Sequence, residues 1–225
     1  MTTSNRDSEQ TADIWSSSRV PVEQKTSALQ TPWKIITELR RRLTYPYTRL
    51  YFALNGVRWG KGWKFYGTPL IQRVGGSKIE IGSRMQWRTW YSSNPLGLTS
   101  RSVLATRAPD AEIIIGNEGK FSGTRFCARC SIRLGDRVRI GANTSIVDND
   151  FHPIGIQARI ETPAAGLMRP VVIEDDVFVG MNVLILKGTL IGKGSVVGAG
   201  SVVSGVFPPN SIIAGNPARV IREID

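Results

Sequence analysis

Branched aliphatic residues recur at every sixth position between Val171 and Val203: Ile173, Val179, Ile185, Ile191, Val197 and Val203. Two positions before each stands a small or β-branched residue (Val171, Val177, Val183, Thr189, Ser195, Ser201), and glycine follows the aliphatic at Gly180, Gly192 and Gly198. A period of six fits neither a helix at 3.6 nor a two-faced strand at 2. It fits a chain that turns a corner every six residues, so that equivalent side chains stack in columns on successive coils. The expected fold class is therefore an all-β solenoid, a parallel β-helix with aliphatics inside. Glycine at the corners allows positive φ or tight backbone there.

The same pattern reaches back along the chain. Ile79 and Ile81 precede Gly82, Ile113 and Ile115 precede Gly116, and Phe121 lies six beyond Ile115. One residue of phase slips near Cys127 and Ala128, after which Leu134, Ile140 and Ile146 recover the spacing. The step from Ile146 to Ile173 is 27 residues, which is no multiple of six. This interval predicts an external loop at about 148–170, containing Asp148-Asn149-Asp150-Phe151-His152-Pro153 and then Pro163 to Gly166. Loops thrown from a rigid scaffold carry function. Pro208-Pro209 and Pro217 are expected to end the coil, with a short cap from Arg219 to Ile224. Trp87, Trp90 and Tyr91 read as too bulky for a narrow interior, and so as facing a neighbouring subunit or the N-terminal helix.

Ahead of the coil, residues 1–31 are rich in Ser, Thr, Gln and Glu and read as a flexible tail. Residues 32–56 form a basic helical segment. Thr31-Pro32 starts it, Ile35, Ile36, Leu39 and Leu43 follow at helical spacing, and Pro46 is expected to break or kink it. The coil domain then occupies 57–225. Two roles stand open for the helix: packing on the coil, or lying on an anionic membrane surface through residues 33–54.

Composition narrows the field. The chain has 225 residues and a formal net charge of +11, with eight basic residues against Glu38 alone between Trp33 and Lys64. That excess points to an anionic partner: a membrane surface, a phosphate-bearing cofactor or an acidic glycan. No apolar run spans a membrane and the N-terminus is polar, so a cytoplasmic protein is expected, at most peripheral on the inner membrane face. Cys127 and Cys130 lack the further cysteines or histidines of a metal site, and no metal is expected. His152 is the only histidine and falls inside the one large interruption of the repeat. Asp150 or Asp148 can hold its imidazole tautomer so that the other nitrogen accepts a proton near neutral pH. No P-loop or dinucleotide fingerprint is present, and no nucleic-acid partner is expected.

The segments D-N-D-F-H-P, V-V-I-E-D-D-V-F-V-G, L-I-G-K-G-S-V-V-G-A-G-S-V-V and P-P-N-S-I-I-A-G-N-P-A-R-V-I, within about residues 111–225, resemble the hexapeptide-repeat acyltransferases. The likeness is to the branch with maltose, galactoside and polysaccharide O-acetyltransferases. It implies a left-handed β-helix, a homotrimer with active sites between subunits, and acetyl-CoA as donor. His152 would then deprotonate the hydroxyl of a sugar or glycan acceptor, with Asp150 beside it. Gly180, Met181 and Ala199 match backbone positions along the pantetheine groove, and Arg219 and Arg222 match basic positions of the C-terminal segment. Ser204-Gly205 stands where the family carries Thr-Lys. Ser122, Thr124 and Asp148 are the candidate acceptor contacts, although the family's Asn and Asp are missing from the coils before the histidine. The implied activity is O-acetylation in surface polysaccharide or glycolipid synthesis. N-acetylation of an amino sugar or small xenobiotic, and a non-catalytic β-helix used for assembly, are the alternatives.

Overall fold

The computed structural model describes residues 30–164 and 166–224; all but the last two residues of the expected tail lie outside them. Helix α1 runs from Pro32 to Leu54 and passes through Pro46 without interruption. The expected break is thus corrected. Pro46 sits on the exposed side of the helix.

The chain then winds through short strands, three to a coil. The first coil is β1 (Lys64–Tyr66), β2 (Leu70–Gln72) and β3 (Lys78–Ile81). The second is β4 (Gln86–Arg88), β5 (Val103–Thr106) and β6 (Glu112–Ile115), and the third β7 (Lys120–Ser122), β8 (Arg125–Ala128) and β9 (Ser131–Leu134). The fourth is β10 (Arg139–Ile140), β11 (Ser145–Val147) and β12 (Val171–Ile173), with the short helix α2 (Ile156–Glu161) between its last two strands. The fifth is β13 (Phe178–Val179), β14 (Leu184–Ile185) and β15 (Leu190–Ile191). The sixth is β16 (Val196–Val197), β17 (Val202–Val203) and β18 (Val206–Phe207), after which β19 (Ser211–Gly215) starts another turn and β20 (Ala218–Glu223) folds back on it. Each strand pairs in parallel with the strand three places earlier, so three sheets form the sides of a triangular solenoid. Among the strands of the described residues only β20 pairs antiparallel.

The coil therefore continues past Pro208-Pro209, contrary to the expected stop. These prolines lie at a corner, where no ladder N–H is required. Glycine after the inward aliphatic is needed for close stacking rather than for φ. A Cβ on Gly180 would lie 2.6 Å from the Ala199 nitrogen of the next coil, and one on Gly192 2.4 Å from the Pro209 nitrogen.

The interior is a column of buried side chains that changes from aromatic to aliphatic along the axis. Phe65, Trp87, Phe121, Ile140, Val179, Val197 and Ile213 occupy matching register positions in the first sheet. Trp87 is fully buried (0% exposed), which overturns its reading as a surface residue. It stacks on Phe65 at 5.4 Å between ring centroids and meets Phe121 edge-on at 4.8 Å. Successive aromatic layers here leave room that the Ile/Val layers further on do not. Tyr91, by contrast, is 76% exposed, and Trp90 lies under the Arg40 guanidinium of α1, 4.2 Å from it.

Helix α1 docks through one face. Phe52 is buried against Trp59, Trp63 and Phe65, and the Thr48 and Thr68 hydroxyls share a hydrogen bond of 2.8 Å. Glu38 pairs with Arg41 and accepts a 3.3 Å hydrogen bond from the Tyr66 hydroxyl. The packing role of the helix is thus present. Among the described residues no helix is long and apolar enough to cross a membrane.

Candidate functional site

The long loop leaves the solenoid at the corner between the second and third sheets. Its base is fixed by Asp148, whose side chain is buried (0% exposed). One carboxylate oxygen accepts the Arg129 backbone N–H at 2.7 Å and the other the Cys130 N–H at 2.8 Å. Asn149 donates to the same carboxylate at 3.0 Å and accepts the Phe151 N–H at 3.0 Å. The two stems of the loop run side by side: Asp150 N–H donates to the Leu167 carbonyl and Arg169 N–H to the Asp148 carbonyl, each at 2.9 Å.

This frame presents His152. Phe151 takes a left-handed conformation (φ 60°), turning the chain so that the His152 N–H returns to the Asp150 carbonyl at 2.6 Å. Gly166 lies against that turn. A Cβ there would come within 2.8 Å of the His152 nitrogen and 2.9 Å of the Phe151 carbonyl carbon. The imidazole is exposed, and its Nδ1 stands 2.7 Å from the Pro163 carbonyl oxygen. A carbonyl only accepts, so Nδ1 carries the proton in this contact, and in the neutral tautomer Nε2 is the nitrogen with the free lone pair. The expectation that Asp150 or Asp148 holds the tautomer is corrected: a backbone carbonyl does so.

Asp150 has another partner. One of its oxygens pairs with Lys187, at the same corner one coil further on, while the other is buried with no hydrogen-bond partner among the described residues. Lys187, Pro163 and Gly166 were not singled out from sequence. For Lys187 the signal was available: stacking the corner after Val147 on the corner after Ile185 brings 187 beside the loop stem. For Pro163 and Gly166 no periodicity inside the loop announced the contact.

The remaining candidates fall in three places. Ser204 sits at the loop's own corner, one coil beyond Lys187. Gly180, Met181 and Ala199 line the corner between the first and second sheets, so a single chain does not bring them to His152. Ser122 and Thr124 lie toward that corner too, and Thr124 is fully buried with its hydroxyl unpartnered among the described residues. With Asp148 also sealed in, neither Thr124 nor Asp148 offers an oxygen to a ligand, and both are corrected to structural roles. Arg219 and Arg222 are exposed on β20, and neither forms an ion pair among the described residues.

The two thiols do not belong to the reactive set. Burial, followed by the Asp148 charge, pushes Cys130 up to about 11, and burial raises Cys127 as well. Among the described residues no group of three His, Cys, Asp or Glu side chains is placed to hold a metal ion. A concavity of about 580 Å³ lies elsewhere, between Gly56, Trp59, Arg73 and the β3–β6 face. His152 instead stands on an open, apolar rim in which Phe151, Ile154, Ile156, Ile160, Leu167 and Met168 are all exposed.

Comparison with known proteins gives the repeat a family context. A family model described as bacterial transferase hexapeptide (six repeats) matches residues 170–205. A 2,3,4,5-tetrahydropyridine-2,6-dicarboxylate N-acetyltransferase of Halalkalibacterium halodurans is 61% identical over 66 residues, 29% of this chain and 26% of that protein. The chain thus matches about a quarter of that curated relative's length. The crystal structure of a hexapeptide-repeat acetyltransferase from Vibrio cholerae superimposes with a TM-score of 0.50 at 25% identity, covering 83% of this chain and 82% of the other. The N-acyltransferase AntD of Bacillus cereus, in complex with dTDP and 3-hydroxybutyryl-CoA, gives 0.58 at 20% identity over 74% and 82%. The likeness to AntD is one of fold.

Proposed function

We propose that this chain is an acetyl-CoA-dependent acetyltransferase of the hexapeptide-repeat type, with a left-handed coil, that acetylates a sugar or glycan hydroxyl. The observation that carries this reading is the Nδ1–Pro163 contact of a solvent-exposed ring, which makes Nε2 the nitrogen free to act as a base in the neutral tautomer. Nε2 would take the proton of the acceptor hydroxyl as its oxygen bonds to the acetyl carbon; the carbon–sulfur bond of the thioester breaks, and the imidazolium, its Nδ1–H still on the Pro163 carbonyl, returns that proton to the departing thiolate. The donor, when bound, supplies an acetyl group activated as a thioester.

For the donor, the exposed guanidinium groups of Arg219 and Arg222 suit phosphates. The Gly180, Met181 and Ala199 backbone and Ser204 are the proposed contacts along the rest of it. Because Gly180, Met181 and Ala199 occupy a different corner from His152, the complete site requires a neighbouring copy, in a homotrimer. The uncovered apolar residues of the 151–168 segment support that arrangement. Lys187 and Asp150 hold the loop to the coil and position the histidine.

N-acetylation of an amino sugar or other small amine is the second reading. It is favoured by the 61% identity to a protein named as an N-acetyltransferase. Incubation with acetyl-CoA and matched panels of hydroxyl and amine acceptors, following free thiol release, separates the two. No release with any acceptor, from a protein that binds CoA, counts against the hydroxyl reading. Release with amines alone replaces it by the second reading.

A further inference from the structure

Helix α1 is apolar on two sides, and the coil covers only one. Ile36, Leu39, Leu43, Tyr47, Leu50 and Leu54 recur at a mean step of 3.6 residues, so they form one straight stripe along the helix. Each is between 58% and 77% exposed. The opposite face, carrying Arg41, Thr48 and Phe52, is the one that meets the coil through the contacts with Tyr66, Thr68, Trp59 and Trp63. A continuous stripe of six large apolar side chains left in water marks an interaction surface.

Charge decides what covers it. Between Ile36 and Leu54 the helix carries Arg40, Arg41, Arg42 and Arg49 against Glu38. Glu38 is taken by Arg41 and, at 3.5 Å, by Arg42. Arg42 and Arg49 lie to one side of the stripe, and Arg40, whose guanidinium also covers the Trp90 ring, to the other; all three are exposed. A second copy of this helix laid on the stripe would bring arginine flank against arginine flank. An anionic bilayer meets both requirements: headgroups for the arginines, and an acyl boundary for the leucines.

We infer that this stripe is a membrane-docking face, which holds the chain on an anionic lipid surface with its coil on the water side. The inference does not depend on the acetyltransferase reading. Co-sedimentation of the full chain with vesicles of phosphatidylcholine alone, or with added phosphatidylglycerol, tests it. Binding should be at least roughly tenfold stronger with phosphatidylglycerol at low salt, and should weaken as salt screens the headgroups. Leu43→Glu combined with Leu50→Glu should abolish binding while the oligomeric state and melting temperature stay those of the parent. Arg42→Glu with Arg49→Glu should remove the preference for anionic lipid. Equal sedimentation with both vesicle types at low salt overturns the inference, as does a stripe variant that binds like the parent. A stripe variant that dissociates the oligomer assigns the face to a second copy instead.

Discussion

The His152 Nδ1 and the Pro163 carbonyl oxygen stand 2.7 Å apart across the mouth of one loop, eleven residues from each other in the chain. The contact needs both loop stems in place, so the orientation of the base reports on the whole insertion. Replacing His152 by Ala should lower acetyl transfer by roughly 10²–10⁴-fold. The exposed ring supports no core packing, so the melting temperature should not move. A variant that turns over at the parent rate removes His152 from the proposed mechanism.

Gly166 tests the same geometry from the backbone side. Because a Cβ there meets the Phe151–His152 backbone at 2.8–2.9 Å, Gly166→Ala must displace the turn that presents the imidazole. A displacement of about 1 Å can cost on the order of 10² in rate. Steady-state kinetics should show the loss in kcat, with CoA affinity and thermal stability close to the parent's.

The Asp150–Lys187 pair makes a third test. Each side chain is 24% exposed, so Lys187→Met leaves a largely enclosed carboxylate without its cation. We expect about 1–3 kcal/mol of destabilisation in chemical unfolding. Asp150→Asn in the same background should recover part of it. A double-mutant cycle without coupling between the two would mean that the pair does not secure the loop.

Trp87 separates packing from hydrogen bonding. Its indole nitrogen is buried without a partner among the described residues, so Trp87→Phe removes that donor while keeping a ring between Phe65 and Phe121. That change should cost less than about 1.5 kcal/mol. Trp87→Ala opens a cavity in the aromatic layers and should cost about 3–5 kcal/mol. Denaturant unfolding of the two variants would contradict this if they proved equally stable.

Glu38 gives the helix a pH dependence. The hydrogen bond from Arg41 is the largest of the influences that hold its carboxyl down at about 2, against an ordinary 4.5. A depressed folded-state value stabilises the docked helix above pH 4.5, and this contribution is lost as pH falls from 4.5 toward 2. The melting temperatures of the parent and of Glu38→Gln should therefore differ near neutrality and converge in acid.

Much of this architecture was legible because a six-residue period leaves few alternatives, and the 148–170 insertion stood out as a large break within its regular part; the excursion between β4 and β5 lies where the repeat is too irregular to mark it. The residues misread were those whose environment is set across coils. Trp87 looked too large for the bore because the sequence period carries position but not width; width depends on the rings stacked above and below. Asp150 looked like the partner of His152 because they are two apart, yet its carboxylate pairs with Lys187, a residue one coil on. Pro46 was expected from its chemistry alone to break or kink the helix, whereas the helix runs on through it with the proline on the exposed side. Pro163 reaches His152 through its backbone, and a carbonyl has no side-chain signature to find.

The strand β20 runs back antiparallel along β19, from Gly215 paired with Ala218 to Ser211 paired with Glu223. It occupies the edge on which another parallel coil would otherwise register. At the opposite end, the Phe52 ring of α1 plugs the bore over Trp63 and Phe65. A repeat that stacks on itself can in principle polymerise head to tail, since every open rung is a template for the next. In this chain the length of the stack is decided by these two stoppers and not by the repeat.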